Sequence, residues 1–341
     1  MFWIVGGGGL MLGCQSLGHN RLIDFLAYQL DHTPWEGLRF YDCIWPSFML
    51  MVGMSVPFSY AKRSLTQTPQ EMMRHAVKRA AVLFLLGSLR ESVNLGSPYW
   101  IELSSALQPI AVAYLVAFWL ARKSWKIQAI TGGAILAGYA LLLALVAAPG
   151  IPAGSYVLNA NLVTYVDIAI LGRTHPEGWG TVVSTIPTVA TTILGLLVGE
   201  LLRSNRTPNS KAKIIGVIGV AGLLLGYTLS QFVPVVMKMW TTSYGILTAA
   251  WASLMFLMFY WVIDVLGHRN WAFPLGVIGM NALAIYLADT VTRLPQVIHI
   301  LAAGVAKAAG SFGPLSEAVC LILTEWLILY WMYRRKLFLT A

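Results

Sequence analysis

Residues 127–148 read IQAITGGAILAGYALLLALVAA and contain no charged side chain. A helix of this length extends about 33 Å at 1.5 Å per residue, enough to cross a bilayer core of about 30 Å. Only helices and closed barrels satisfy every backbone hydrogen bond within lipid. A barrel strand crosses in about 9–11 residues, so this longer run predicts a transmembrane helix.

The whole chain has the composition of a membrane protein. Of its 341 residues, 57% are hydrophobic and 11% are charged, and the mean hydropathy is +0.69. A soluble domain has about 25% charged residues. Further apolar runs lie at residues 1–14, 43–60, 80–96, 103–120, 182–202, 214–231, 244–263, 272–288 and 316–333. The sequence therefore predicts an all-α polytopic integral membrane protein, a single domain over residues 1–341 with about ten transmembrane helices.

Two segments leave alternatives open. Residues 296–312 (QVIHILAAGVAKAAGSF) are rich in alanine and glycine and are interpreted as a re-entrant or interfacial helix, with an eleventh span as the alternative. The run 1–14 reaches only about 21 Å as a helix. Either the first helix is partial, or the start at Met1 truncates it.

The formal net charge of +9 does not indicate nucleic-acid binding, because the basic residues form short clusters between apolar runs. If the N-terminus is cytoplasmic and the spans alternate, 16 of the 23 basic residues fall on the cytoplasmic side, as the positive-inside rule requires. We therefore expect a multi-pass protein of the bacterial cytoplasmic membrane with both termini in the cytoplasm. Most acidic residues lie towards the outer face, where we expect the chemistry.

His32 is the strongest candidate for a catalytic residue. It lies in an outer loop, ten residues before Asp42 at the start of the second apolar run. Imidazole exchanges protons near neutral pH, and a carboxylate that accepts its Nδ1–H fixes the tautomer. A solvated surface histidine is the alternative interpretation. An acid at a membrane boundary is costly without a partner, which favours a pair of His32 and Asp42.

Other polar residues carry weaker indications. Glu325 and Asn281 lie within apolar runs, where each is either a functional site or an inter-helix hydrogen-bonding group. His19, His175 and His299 are also expected on the outer side, but none stands in a matching cluster. No set of His, Cys and Asp has metal-ligand spacing, and the phosphate-binding and serine-hydrolase motifs do not occur. The sequence therefore predicts no metal site and gives no support to ATP-driven or serine-hydrolase chemistry.

Four stretches, in order along the chain, resemble the transmembrane acetyltransferases related to heparan-α-glucosaminide N-acetyltransferase. The first, QLDHTPWEGLRFYDCIWPSFMLMVGMSVPFS (29–59), carries the family's His, Trp-x-Gly and Asp-x-x-x-Pro pattern. The others are THPEGWGTVVSTIPTVATTILGLLVGELLRS (174–204), KMWTTSYGILTAAWASLMFLMFYWVIDVLG (238–267) and GMNALAIYL (279–287). Two departures are the missing Ser-Leu-Asp-x-x-Arg-Gly stretch before the first span and Met237, where many members have asparagine.

This resemblance implies transfer of an acetyl group from cytoplasmic acetyl-CoA to a sugar amine or hydroxyl on the outer face. It identifies His32 as the general base or transient acetyl carrier, with Asp42 as its orienting partner. The matching segments make substrate-binding candidates of Trp35, Gly37, Lys238, Trp240, Ser243 and Asn281. Basic residues expected at the cytoplasmic face could bind the CoA phosphates or serve only membrane topology: Arg74, Arg79, Arg122 and Lys123.

Two other functions remain open. A proton-coupled transporter or flippase of an envelope sugar or lipid could use His32, Asp42 and Glu325 as a proton relay, although no inverted repeat is visible. A non-catalytic family member could keep the fold for binding or assembly. The expected partners are an amino sugar or glycan acceptor and the lipid bilayer, and a homodimer is left open.

Overall fold

The computed structural model describes residues 2–18 and 20–339 and is predominantly helical. The start at Met1 and His19 lie outside the described residues. The described part contains the helices α1 (Gly8–Gln15), α2 (Arg21–Gln29), α3 (Ile44–Arg63), α4 (Pro69–Leu95), α5 (Leu107–Leu120), α6 (Trp125–Leu145), α7 (Leu162–Leu171), α8 (Thr185–Arg203), α9 (Pro208–Leu229), α10 (Thr242–Tyr260), α11 (Phe273–Met280), α12 (Ala282–Val291), α13 (Leu294–Ala308) and α14 (Gly313–Arg334). Strands β1 (Tyr156–Val157) and β2 (Ala160–Asn161) form a short antiparallel hairpin before α7.

Within residues 2–18 and 20–339, six helical segments are long and apolar enough to cross a membrane. They are Tyr41–Arg63, Trp125–Leu145, Thr185–Arg203, Pro208–Leu229, Thr242–Val265 and Gly310–Arg334. The pair α11 and α12 adds a seventh span if the two helices are counted together. The chain is therefore an all-α membrane protein, while the total of about ten spans, with or without an eleventh at 296–312, stays a prediction.

Two predicted helices differ from the observed ones. Helix α4 begins at Pro69, well before residue 80, because Thr68 and Glu71 form a reciprocal capping box and Pro69 occupies the first helical position. An apolar run cannot reveal these polar first turns. The run 272–288 is not one helix, since α11 and α12 meet at Asn281 with a bend of 56°.

Small residues allow the central helices to approach closely. Helix α3 packs along α8, and a β-carbon added at Gly53 would overlap the carbonyl oxygen of Thr192. One added at Gly195 would overlap the carbonyl oxygen of Leu50. Helices in lipid associate mainly through such close packing, so these glycines fix the position of α3 and of the segment that leads into it.

Three connecting segments meet at the end of the bundle where α3 begins. They are residues 30–43, 172–184 and 230–241. The Gly37 N–H donates to the Val235 carbonyl at 2.8 Å, and the Gly180 N–H donates to the Lys238 carbonyl at 2.8 Å. Gly37 has a φ of +127°, which a side chain would strain. The backbone therefore joins three sequence-distant segments at one site.

Candidate active site around a histidine–aspartate pair

Asp42 is the fixed centre of the candidate site. It lies in the 3-10 turn Tyr41–Cys43 that leads into α3 and has no exposed surface. Its carboxylate accepts the Thr33 hydroxyl at 2.6 Å, the Arg39 backbone N–H at 2.9 Å and the His32 ring at 2.8 Å. These bonds compensate the cost of burying a carboxylate, and they fold residues 32–42 into a tight loop around it.

His32 directs one ring nitrogen, Nδ1, to the carboxylate of Asp42. A carboxylate with three donors acts as an acceptor, so Nδ1 carries the proton and Nε2 is the basic atom. Among residues 2–18 and 20–339 no group is hydrogen-bonded to Nε2. The side chain is 40% exposed, and Tyr41 and Trp179 hold it edge-on, with ring centroids at 4.7 Å and 5.8 Å. This arrangement suits a general base or a nucleophile.

The backbone around the pair is also held in place. The Tyr244 hydroxyl, on α10, donates to the carbonyl of Asp42 at 2.7 Å. The Arg39 guanidinium donates to the carbonyl of His32 at 3.0 Å and to the Asp31 carboxylate at 3.2 Å. The site is thus preorganised by contacts within its own loop and by Tyr244 from outside it.

His32 opens on an internal cavity of about 560 Å³. One wall is α4, which contributes residues from Arg79 to Asn94, a length of about 22 Å along the helix. The opposite walls come from α3, α5, the loop before α8 and the bent pair α11 and α12. The cavity therefore extends from His32 deep into the bundle towards Arg79.

Several polar atoms in the cavity wall have no protein partner. Within the described part of the chain, Arg79 Nε, Arg90 Nε, Trp45 Nε1 and Ser104 Oγ are buried and lack a hydrogen bond. A buried polar group without a partner costs about 1–3 kcal/mol. The residues that carry these atoms line the cavity, while the four atoms themselves have almost no accessible surface.

A second histidine–carboxylate pair lies in the same cavity, and sequence reasoning missed it. His175 Nε2 is 3.2 Å from Glu91 Oε1, and the two side chains are 3% and 5% exposed. The residues are 84 positions apart, so no local spacing reveals them. The one available signal was the place of His175 at the head of the segment 174–204.

Most predicted substrate-binding residues support the site and do not line the cavity. Trp35 Nε1 donates to the Tyr156 carbonyl at 2.8 Å, and Ser243 Oγ donates to the Pro234 carbonyl at 3.0 Å. Lys238 Nζ donates to the Glu177 carbonyl at 2.7 Å. Trp240 is buried between Trp45 and Tyr244. Like Gly37, these residues hold the connecting segments together, and direct contact with a substrate stays a prediction.

Asn281 and Glu325 are not among the residues that line the cavity with His32. The Asn281 amide is fully buried and pairs with the chain after α14: it donates to the Leu337 carbonyl and accepts from the Leu339 N–H, both at 3.0 Å. Glu325 lines a separate cavity of about 20 Å³ against Trp326 and Leu329. Neither side chain is among those that line the large cavity.

The four predicted cofactor-binding residues separate into two groups. Arg79 lines the large cavity, with its guanidinium 4.8 Å from the centre of the Tyr114 ring. Arg74, Arg122 and Lys123 are exposed and do not line it. Of the four, Arg79 is therefore the residue able to contact a ligand inside the bundle.

The fold and the site together define a helical membrane protein with a histidine–aspartate pair facing an internal cavity. The chain is similar to heparan-alpha-glucosaminide N-acetyltransferase from Mus musculus, with 24% identity over 327 residues that cover 76% of this chain and 49% of the relative. The Homo sapiens protein of the same name is 25% identical over 328 residues, covering 76% of this chain and 48% of the relative. The chain spans about half the length of these curated relatives. No protein-family model matches it. The similarity confirms that the chain is related to this acetyltransferase family.

Proposed function

We propose that the chain is a membrane acetyltransferase that moves the acetyl group of acetyl-CoA to a sugar amine or hydroxyl, with His32 as the reactive base. The observation that carries this proposal is the His32–Asp42 pair, because His32 lines the cavity and its Nε2 has no hydrogen-bond partner among the described residues. A bulk-exposed or fully paired histidine would not serve this purpose. The relation to a named N-acetyltransferase supports the same reaction class.

The cavity fits a long acyl donor. Arg79 and Arg90 are eleven residues apart on α4, about 16 Å along the axis. A donor with its phosphates at Arg79 needs an arm of about this length to bring its thioester to the His32 end, and CoA has such an arm. Arg79 has an unpaired buried Nε, and guanidinium binds phosphate well. On this proposal the donor enters from the cytoplasmic side and the acceptor from the outer side.

The chemistry follows from the two ring nitrogens of His32: Nδ1 donates to Asp42, and Nε2 is the basic atom. The acceptor nitrogen or oxygen attacks the thioester carbonyl carbon while Nε2 takes its proton, and Asp42 stabilises the imidazolium. The C–S bond breaks, and the imidazolium returns the proton to the leaving thiolate. An ammonium acceptor first loses one proton to water. In the alternative route Nε2 attacks the carbonyl carbon itself, the C–S bond breaks and the CoA thiolate leaves. The acceptor then attacks the acetyl group on Nε2, that C–N bond breaks, and the acceptor proton passes to the thiolate or to water.

A second candidate function is a transporter or flippase of a sugar or lipid. The bent pair α11 and α12 in the cavity wall favours it, because broken helices line substrate sites in transporters. A proton relay through His32, Asp42 and Glu325 is less well supported, because Glu325 does not line the large cavity.

The two functions are separated by one pair of experiments on purified, reconstituted protein. Incubation with acetyl-labelled acetyl-CoA and a panel of amino sugars should transfer label to sugar. Counterflow of labelled sugar without acetylation would support the transporter instead. Neither transfer nor counterflow would favour a non-catalytic member of the family.

A further inference from the structure

Glu91 is held in the cavity by two cationic or donating neighbours. Its Oε1 accepts from His175 Nε2 at 3.2 Å, and its Oε2 lies 3.8 Å from Arg90 Nη1. The Arg90 guanidinium in turn rests on the Tyr286 ring, 4.1 Å from the centroid. The carboxylate is therefore fixed in direction, and Glu91 is among the residues that line the cavity.

His175 differs from His32 in the hydrogen bonding of its two ring nitrogens. The backbone N–H of Glu177 donates to Nδ1 at 3.2 Å, so Nδ1 is an acceptor and Nε2 carries the proton that Glu91 accepts. Both ring nitrogens are thus engaged, whereas His32 keeps one free. His175 acts as a positioning residue for Glu91 and has no free atom to serve as a second base.

The cavity is acidic around this pair. Glu91, Glu177 and Asp289 all line it, and Arg90 is the basic residue among them, since Arg79 lies about 16 Å further along α4. A cleft with an excess of one sign of charge concentrates ligands of the opposite sign. Ser104 lies in the same wall, and its hydroxyl has no hydrogen-bond partner within the described part of the chain.

From this cluster we propose that Glu91, held by His175 and Arg90, is the acceptor-binding carboxylate and selects a positively charged, hydroxyl-bearing ligand beside His32. The inference rests on the proposed function, because it assigns the acceptor side of the same cavity. Glu91 forms a charge-assisted hydrogen bond to the cationic group, and Ser104 bonds a hydroxyl. His32 then meets the acceptor from the opposite wall.

Binding measured without acetyl-CoA tests the inference separately from catalysis. Isothermal titration of purified protein with glucosamine and with glucose should show preference for glucosamine. Glu91→Gln should weaken glucosamine binding about tenfold or more and leave glucose binding within about twofold, as expected for loss of one charge-assisted bond. His175→Ala should weaken glucosamine binding by a smaller factor, and His175→Gln, which retains a donor, should restore part of it.

The matched control is Glu317→Gln. Glu317 also pairs with a histidine, His299, but on the surface between α13 and α14, and it does not line the cavity. It should leave both dissociation constants unchanged. Equal glucosamine binding in wild type and Glu91→Gln, or no glucosamine binding by wild type, overturns the inference. Glu91-dependent binding in a protein that transfers no acetyl group overturns only the proposed function.

Discussion

Nδ1 of His32 lies 2.8 Å from Oδ1 of Asp42, and the aspartate has no exposed surface. The histidine is partly exposed to the cavity, so the pair joins a buried charge to an accessible base. The Thr33 hydroxyl and the Arg39 backbone N–H also donate to the Asp42 carboxylate, and the Tyr244 hydroxyl donates to the Asp42 carbonyl.

His32→Ala should abolish acetyl transfer, since no other described histidine nitrogen in the cavity is free. The variant should still insert and elute as a single species, because the ring is partly exposed and Thr33 and the Arg39 backbone still donate to Asp42. Steady-state transfer of labelled acetyl groups checks this. His268→Ala, in an exposed turn, is the control and should keep wild-type rates. Full activity of His32→Ala would rule out the assignment.

Asp42→Asn should lower kcat by about 100-fold or more, with a small change in KM. An amide at this position can no longer accept from every donor around it, so the favoured ring tautomer of His32 is lost. Transfer kinetics at saturating acceptor give the measurement. Asp264→Asn, on an exposed residue at the end of the α10 span, should have no effect. A kcat near that of wild type would show that His32 does not depend on this carboxylate.

Arg79→Gln should raise KM for acetyl-CoA about tenfold or more while KM for the acceptor stays constant, because a charge-assisted phosphate contact is lost. The neighbouring Lys78 is exposed and does not line the cavity, so Lys78→Gln should change KM by less than about twofold. The exposed residues Arg74, Arg122 and Lys123 should behave like Lys78. Equal effects of Arg79→Gln and Lys78→Gln would show that Arg79 serves membrane topology and does not bind the donor.

Asn281→Ala should reduce stability by about 1–3 kcal/mol, because it leaves the Leu337 carbonyl and the Leu339 N–H without their buried partner. Thermal unfolding in detergent provides the measurement. KM for the acceptor should stay within about twofold, since the amide is hydrogen-bonded to the C-terminal segment and not directed into the cavity. A large rise in KM with unchanged unfolding temperature would instead support the substrate-binding role predicted from the sequence.

The ion pair of Glu102 and Arg173 should make stability depend on pH. Burial opposes ionisation of Glu102, but the bonds from Arg173 and from backbone amides outweigh it and hold its pKa below the ordinary value of 4.5. A lowered pKa stabilises the folded state above the unfolded pKa, and the gain disappears as pH falls through the folded pKa. As the pH is lowered from about 7 through the folded pKa of Glu102, the unfolding temperature of wild type should therefore fall more than that of Glu102→Gln.

Arg173→Gln is the companion variant for this test. If the pair is responsible, the two substitutions should be non-additive at neutral pH and become additive in acid. Additive effects at both pH values would show that the two side chains stabilise the protein independently.

Local features of the sequence were sufficient to predict most of the long helices, but not the shorter α2 and α7. The apolar runs coincide with helical segments because lipid forces the backbone to bond to itself within each run. The pair of His32 and Asp42 was also within reach, since ten residues of one loop join the two. The start of α4 at Pro69 and the break at Asn281 could not be predicted from the apolar runs, because capping boxes and helix bends leave hydropathy almost unchanged.

Which polar side chains share a cavity depends on how the helices pack against one another. Glu91 and His175 come from α4 and from the loop before α8, and Arg79 is distinguished from Arg74, Arg122 and Lys123 by where the bundle places it. The sequence by itself determined a polytopic helical chain with His32 beside Asp42, since backbone bonding and hydropathy act over short distances. The walls of the cavity depend on helix packing, which brings together residues that no spacing along the chain connects.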